Sequence, residues 1–330
     1  MILRKLLFPL SPIYGAIVWL RNFCFDRGWF GTVVPDTPVL CVGNLSVGGT
    51  GKTPMVEWIL RHYRSKNRNV AVLSRGYGRK TKGFLEVTLD HKPSEVGDEP
   101  LQLKHKFPET TIVVDQQRVR GMHLLEQNQK PELVILDDGF QHRKIKAHKY
   151  ILLTALDDLY TDQTYLPSGD LRDHRSQACR ADLIIVTKCP KLPDGTTQKS
   201  IVAKIKPLPH QKVLFATLEY EAPVSVSGKV RIWEQWTQQP FTLVTGIAKP
   251  VALVNFLKYK GLTFEHLNFS DHHVFTKAEL DRINKSGCIL TTEKDAVRLK
   301  GLIAEFFVVG VRHGFDSEQQ SFFSAFLDAI

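Results

Sequence analysis

The stretch "NLSVGGTGKTP" (44–54) stands between the apolar run "PVLCV" (38–42) and "MVEWILRHYR" (55–64). Gly48, Gly49 and Gly51 precede Lys52 and Thr53, the order found in the phosphate-binding loop G-x-x-x-x-G-K-[ST]. The first position is Ser46 rather than glycine, so the strict pattern is missed by one residue. The chemistry survives this change. Glycines let successive backbone N–H groups turn inward onto phosphate oxygens, and the N-terminus of the following helix adds partial positive charge. Ser46, Val47, Gly48, Gly49, Thr50, Gly51, Lys52 and Thr53 are therefore expected to cradle nucleotide phosphates. Lys52 would reach the β- and γ-phosphates, and the Thr53 hydroxyl would bind Mg²⁺. Pro54 suits the first helical turn, where no intrahelical donor is needed.

Outward from this loop, short runs rich in Val, Ile and Leu recur. They are "PVLCV" (38–42), "NVAVL" (69–73), "TIVV" (111–114), "ELVIL" (132–136), "YILLT" (150–154), "DLIIV" (182–186) and "KVLFAT" (212–217). Strands without polar alternation are buried on both faces, so these runs and the helix-like segments between them predict a parallel sheet covered on each side. After residue 218 the texture changes. "VSVSGKVRIW" (224–233) reads as two short strands about a Ser-Gly turn. A second alternation follows in "FTLVT", a helix near 250–260, "CILTT", a helix near 293–302 and "FFVVG". The expected architecture is α/β. A P-loop NTPase-like parallel sheet spans 1–218, a two-stranded link 219–240, and a smaller α/β unit 241–330.

The 330-residue chain carries 44 Lys and Arg against 34 Asp and Glu, a formal charge of +10. Such a balance suits an anionic partner: nucleotide, nucleic acid or membrane surface. With 43% hydrophobic residues and no repeat, the chain can bury a globular core. Cys24, Cys41, Cys179, Cys189 and Cys288 have no metal-knuckle or C-x-x-C spacing, and are expected as buried free thiols in a reducing compartment. The N-terminal stretch is apolar from Phe8 to Leu20 but interrupted by Pro9 and Pro12. A spanning helix needs about 20 apolar residues. Arg4 and Lys5 imitate a signal peptide, yet no small-x-small site follows and Arg21 comes next. Two readings stay open for residues 1–25. One is an amphipathic segment in a membrane interface, with Arg4, Lys5 and Arg21 suited to anionic headgroups; the other is an ordinary helix packed on the domain.

Further motifs carry chemistry. "LVILDDGFQHR" (133–143) is an apolar strand ending in Asp137 and Asp138, carboxylates that would face the ligand crevice and hold Mg²⁺. "GDEPLQL" (97–103) is open between a helix start with Asp98 as N-cap and a carboxylate that orients or deprotonates a nucleophile. "FSDHHVFTKAEL" (269–280) sets His272 and His273 just before a helix capped by Thr276 and Glu279. Either imidazole could orient a catalytic acid or be solvated. "SRGYGRKTKG" (74–83) could hold a second anionic group or be a solvated basic loop. In "VTKCP" (186–190), Pro190 stands where a GTPase carries its guanine-reading aspartate, which argues against guanine.

Together, "GNLSVGGTGKTP", "SRGYGR", "GDEP", "DDGFQHR", "PSGDLRD", "TGIAKP", "SDHH" and "TTEKDAVRL" resemble one family closely, the tetraacyldisaccharide 4'-kinases (lipid A 4'-kinases) of Gram-negative bacteria. The stretches run in the family's order over nearly the whole chain. The resemblance implies transfer of the ATP γ-phosphate, with Mg²⁺, to the 4'-hydroxyl of a tetraacylated glucosamine disaccharide 1-phosphate. It implies a peripheral or monotopic protein on the cytoplasmic face of the inner membrane, with no nucleic acid and no obligate protein partner. Asp98 and His272 correspond to a pair near the acceptor hydroxyl, with Lys52 on the transferred phosphate. Arg75, Tyr77, Gln141, His142 and Arg172, within the shared motifs, become substrate-contact candidates. One departure is Asp173, where many members carry glutamate; a metal or water-positioning role does not carry over directly.

A second class of function competes: a P-loop ATPase or switch acting on a protein or nucleic acid. Basic charge favours it. The missing guanine reader and the lack of a recognisable nucleic-acid module count against it.

Overall fold

The computed structural model describes Arg4 and residues 6–330. Eight strands open the chain: β1 (Val39–Gly43), β2 (Val70–Ser74), β3 (Leu85–Glu86), β4 (Thr111–Val114), β5 (Leu133–Asp137), β6 (Lys149–Ala155), β7 (Leu183–Cys189) and β8 (Lys212–Tyr220). Five more, β9 (Val224–Ser225), β10 (Phe241–Thr245), β11 (Phe264–Asn268), β12 (Ile289–Thr292) and β13 (Phe307–Val309), build a small sheet. The last strand, β14 (Val311–Gly314), returns to the large one, whose order is β14-β8-β7-β6-β1-β5-β2-β4-β3. Its central pairings are parallel, and only the edge strands β3 and β14 run antiparallel.

The helices are α1 (Ser11–Asp26), α2 (Lys52–Ser65), α3 (Pro93–Val96), α4 (Asp98–Lys106), α5 (Arg118–Asn128), α6 (Gly195–Ile205), α7 (Val251–Tyr259), α8 (Lys277–Asn284), α9 (Glu293–Leu299) and α10 (Ser317–Asp328). Successive strand residues serve opposite faces. Leu40, Val42, Ile135 and Ile151 pack with Met55, Ile59 and Tyr63 of α2. Val39, Cys41, Val134 and Leu136 pack with Met122 of α5 and Ile201 of α6. The continuous apolar runs are thus a sheet clothed on both sides, and each fully buried Leu, Ile or Val contributes roughly 1.5–3 kcal/mol.

The chain leaves the large sheet on β8 and returns on β14, whose register runs from Val311↔Tyr220 to Gly314↔Thr217. Residues 311–330, expected in the smaller unit, instead complete the larger one. Phe323 and Leu327 of α10 are buried in the core beside α2, and Leu327 O accepts a 2.8 Å hydrogen bond from Tyr63. The 224–233 stretch, expected as the connecting hairpin, turns at Ser227-Gly228 and contributes only β9 to the edge of the small sheet. Of the cysteines, all free, Cys41 and Cys189 are buried, whereas Cys179 is exposed.

Helix α1 docks through polar groups. Tyr14 donates to Arg172 O at 3.0 Å, Arg21 to Gln141 O at 2.9 Å, and the Asn22 amide to Asp173 Oδ1 at 2.7 Å. Asp173 is fully buried in this joint, which accounts for a short carboxylate there. Outward, Ile13, Ile17, Trp19 and Leu20 are more than half exposed. The segment packs on the domain, as one reading expects, and its outward apolar face is the surface the membrane-interface reading would use. Two of its three flanking cations are turned to the protein, since Arg4 pairs with Asp170 at 2.8 Å and Arg21 faces inward. Residues 1–3 and Lys5 lie outside the described residues. Among the described residues, no helix is long and apolar enough to cross a membrane.

Candidate active site

The carboxyl ends of β1, β5 and β2 lie side by side, because the register sets Val42 opposite Asp137 and Leu73 opposite Leu136. The loop after β1 closes on α2. Its Gly51 is left-handed (φ 81°) and sits against His313 of β14, where an added Cβ would lie 2.8 Å from the imidazole Nε2. His313, fully enclosed, lies 3.0 Å from Gly51 O and 3.3 Å from Thr217 O, bracing the loop from behind. Lys52 Nζ donates to Asn44 Oδ1 at 3.1 Å and stands 3.5 Å from Asp138 Oδ1.

The two strand-end carboxylates have different surroundings. Asp138, left-handed at φ 50°, is bound by Arg172 and approached by Lys52. Burial opposes its charge, but Lys52, Arg172 and Arg118 hold it well below the usual carboxylate range. Among the described residues, the Asp137 carboxylate accepts only from Ser74 Oγ, at 3.2 Å. Burial and the Asp138 charge push it up to about 6.

Across the cleft, Asp98 is the first residue of α4, and no side chain caps that helix. The preceding Gly97 takes φ 95° against the backbone of Gly76 and Tyr77, which seats α4 on the 74–83 loop. Asp98 Oδ2 instead lies 2.7 Å from His272 Nδ1, bridging the two units. This disposes of the capping alternative. Burial raises the Asp98 carboxyl, yet the His272 hydrogen bond and Arg298, 3.5 Å away, hold it below its ordinary value. His272 is shifted upward, chiefly by Asp98. The two adjacent histidines separate here, because His273 Nε2 turns to Glu279 of the capping box at 2.9 Å.

One cavity of about 880 Å³ contains the loop from Val47 to Thr53, both strand-end aspartates, Arg75, Tyr77, Gln141, His142, Arg172 and His272. Ser46 is buried beneath it, bridged to Leu171. The 74–83 loop is divided: Arg75 and Tyr77 face the cavity, while Arg79 donates to Val114 O and Gln116 and ties the loop down. Burial and neighbouring arginines hold the His142 imidazole down at about 4. A second cavity of about 1140 Å³ opens beside α1, lined by Ile17, Leu20, Phe25, Trp29 and Phe30. The two adjoin, since Arg21, Gln116, Arg118 and His142 line both.

Asn44, Ser74, Arg118 and His313 were not singled out from sequence. Asn44 stood inside the opening motif, and "GN" ahead of the loop was the available signal. Arg118 and His313 carry no local signal; only the tertiary fold brings them here.

The family model described as tetraacyldisaccharide-1-P 4'-kinase matches residues 3–330. The chain belongs to this family. The tetraacyldisaccharide 4'-kinase of Flavobacterium johnsoniae is 42% identical over 335 residues, covering 100% of this chain and 98% of its own. That of Phocaeicola vulgatus is 39% identical over 344 residues, covering 98% and 94%. Among solved structures, the "apo" form LpxK from Aquifex aeolicus in complex with ATP matches with TM-score 0.79 at 28% identity, over 98% of each chain. Membership of the tetraacyldisaccharide 4'-kinases supports the kinase reading and leaves the P-loop switch without support.

Proposed function

We propose that this chain transfers the γ-phosphate of ATP to the 4'-hydroxyl of a tetraacylated glucosamine disaccharide 1-phosphate, a step of lipid A biosynthesis. The observation that carries the reading is the 2.7 Å contact of buried Asp98 with His272, whose imidazole lines the same cavity as the P-loop. Phosphoryl transfer needs positioning, charge stabilisation and an acceptor for the hydroxyl proton. Backbone N–H groups of the loop and Lys52 hold the triphosphate. Asp98, oriented by His272, takes the 4'-hydroxyl proton as the new oxygen–phosphorus bond forms. The bond from the γ-phosphorus to the bridging oxygen breaks, and ADP leaves with its electron pair.

The donor set suits Mg²⁺: a buried carboxylate at Asp137 that, among the described residues, forms no ion pair and feels Lys52 only at longer range, with hydroxyls at Ser74 and Thr53. Asp137, Thr53 and, farther from need because it is already paired, Asp138 would hold the ion. When bound, Mg²⁺ supplies neutralising charge on the phosphate oxygens. Arg118, buried between the cavities, is suited to an anionic group of the acceptor, and the apolar cavity beside α1 to its acyl chains. The exposed face of α1 with Trp29 and Phe30 supports peripheral attachment to the cytoplasmic face of the inner membrane. Incubation with Mg-ATP and the lipid acceptor in detergent should give a lipid heavier by one phosphate, with ATP consumption that requires the acceptor. Acceptor-independent hydrolysis and an unchanged lipid mass would overturn the proposal.

A further inference from the structure

Helix α9 opens inside "TTEKDAVRL", and its Lys294 reaches out of the small-sheet unit into the cleft. Lys294 Nζ lies 2.9 Å from Glu99 Oε1, 3.0 Å from Asp271 Oδ1 and 3.2 Å from His272 Nε2. An ammonium has three hydrogens and no lone pair, so each of these neighbours must accept. His272 Nε2 therefore offers its lone pair, and the ring proton sits on Nδ1, from which it is donated to Asp98 Oδ2 at 2.7 Å. We infer that Lys294 is a positioning residue that locks His272 as the neutral Nδ1–H tautomer, leaving Asp98 a full carboxylate charge for the proton of the acceptor hydroxyl. The inference rests on the Asp98–His272 base proposed above.

The charges around His272 show why such a lock is needed. From α4, Asp98 and Glu99 face the ring; from its own loop, Asp271 stands 3.8 Å from Nε2; and from the 74–83 loop, Tyr77 packs with ring centroids 5.5 Å apart. From α9 come Arg298, engaged with Asp98, Asp295 and His273 O, and Lys294 itself. Three carboxylates favour imidazolium, and Lys294 is the cation that meets the ring nitrogen. Burial opposes the Lys294 charge, but Glu99 and Asp271 more than restore it. An imidazolium beside Asp98 would lower the basicity of that carboxylate.

The test uses the full chain labelled with ¹⁵N-histidine, with the His272 signals assigned by their loss in His272→Gln. Lys294→Met is compared with Lys294→Arg and wild type, and Lys294→Gln takes the place of Lys294→Met should thermal melting find the latter unfolded. Wild type should show the Nδ1–H tautomer above the His272 midpoint. In Lys294→Met the midpoint should rise by about one unit or more, the scale set by one charge at contact distance. The acid limb of the kcat–pH profile should move to higher pH by the same amount, and Lys294→Arg should restore both. A wild-type Nε2–H tautomer, or a midpoint unmoved in Lys294→Met, would overturn the inference. A midpoint that moves while the acid limb stays still supports the Lys294 lock and overturns the Asp98–His272 base instead.

Discussion

At the end of β5, adjacent aspartates of one motif take different parts because of what faces them. Sequence presents Asp137 and Asp138 as equals. The fold gives Asp138 to Arg172 and Lys52 and leaves Asp137 with a single hydroxyl. A carboxylate buried without a cation is the one a divalent ion relieves most. Asp137→Asn should therefore raise the Mg²⁺ concentration needed for half-maximal activity more than Asp138→Asn does, read from Mg²⁺ titrations of the initial rate. Equal midpoints would remove the distinction. Much of the site was legible because its residues lie in short motifs whose backbone does the chemistry: the glycines, Lys52 and Thr53 could be read in order. Asp98 and His272 stand in separate motifs 174 residues apart, so their pairing rests on resemblance until the fold joins them. Lys294 stands inside "TTEKDAVRL", yet nothing in that motif marks it apart, since a lysine opening a helix is ordinary until the ring nitrogen it meets is known.

Among the elements, the buried parallel strands were readable because both faces demand apolar side chains: β1, β2, β4, β5 and β6 fall within one residue of their runs, whereas β7 and β8 continue three residues past 186 and 217. The edge strands were not: β3 and β9 have two residues each, and the polar "VRHG" of β14 gives no apolar run. Helix α1 owes its duality to its two sides. Replacing Ile13, Ile17, Trp19 and Leu20 by serine leaves the joints through Tyr14, Arg21 and Asn22 intact. The variant should float less with liposomes and show a higher KM for lipid with an unchanged KM for ATP; undiminished flotation would refute a membrane role for this face. Helix α9 also carries Glu293, which shares Lys106 with the fully buried Glu57 of α2. Burial and the Glu57 charge push Glu293 from 4.5 to about 7. Between those values the folded chain keeps a proton that the unfolded chain releases, so this group lowers stability as pH rises through the window. Urea midpoints should therefore fall less from pH 5 to pH 8 in Glu293→Gln than in wild type. An identical slope would show that Glu293 is not the titrating group.

Over the whole molecule, a parallel sheet clothed on both faces and a second, smaller α/β unit were foreseeable from the alternation of runs, but the order of the strands and the return of the chain were not. Nothing in residues 311–330 announces that β14 and α10 rejoin the first core; the pairing with β8 and the burial of Phe323 decide it. That return ties the small-sheet unit to the P-loop by two crossings, with His313 on one of them touching Gly51 O. The consequence is that the proposed catalytic pair, Asp98 and His272, has one member in each unit and would assemble only when the units face each other. The most direct test is the kcat of Asp98→Ala, His272→Ala and the double variant, measured with lipid acceptor at saturating Mg-ATP. Each single substitution should lower kcat by roughly 10²-fold or more, the scale of general base catalysis. The double variant should be little worse than the poorer single one, since groups that act as a unit are not additive. Near wild-type turnover in either single variant, or losses that multiply in the double, would contradict a base built across the cleft.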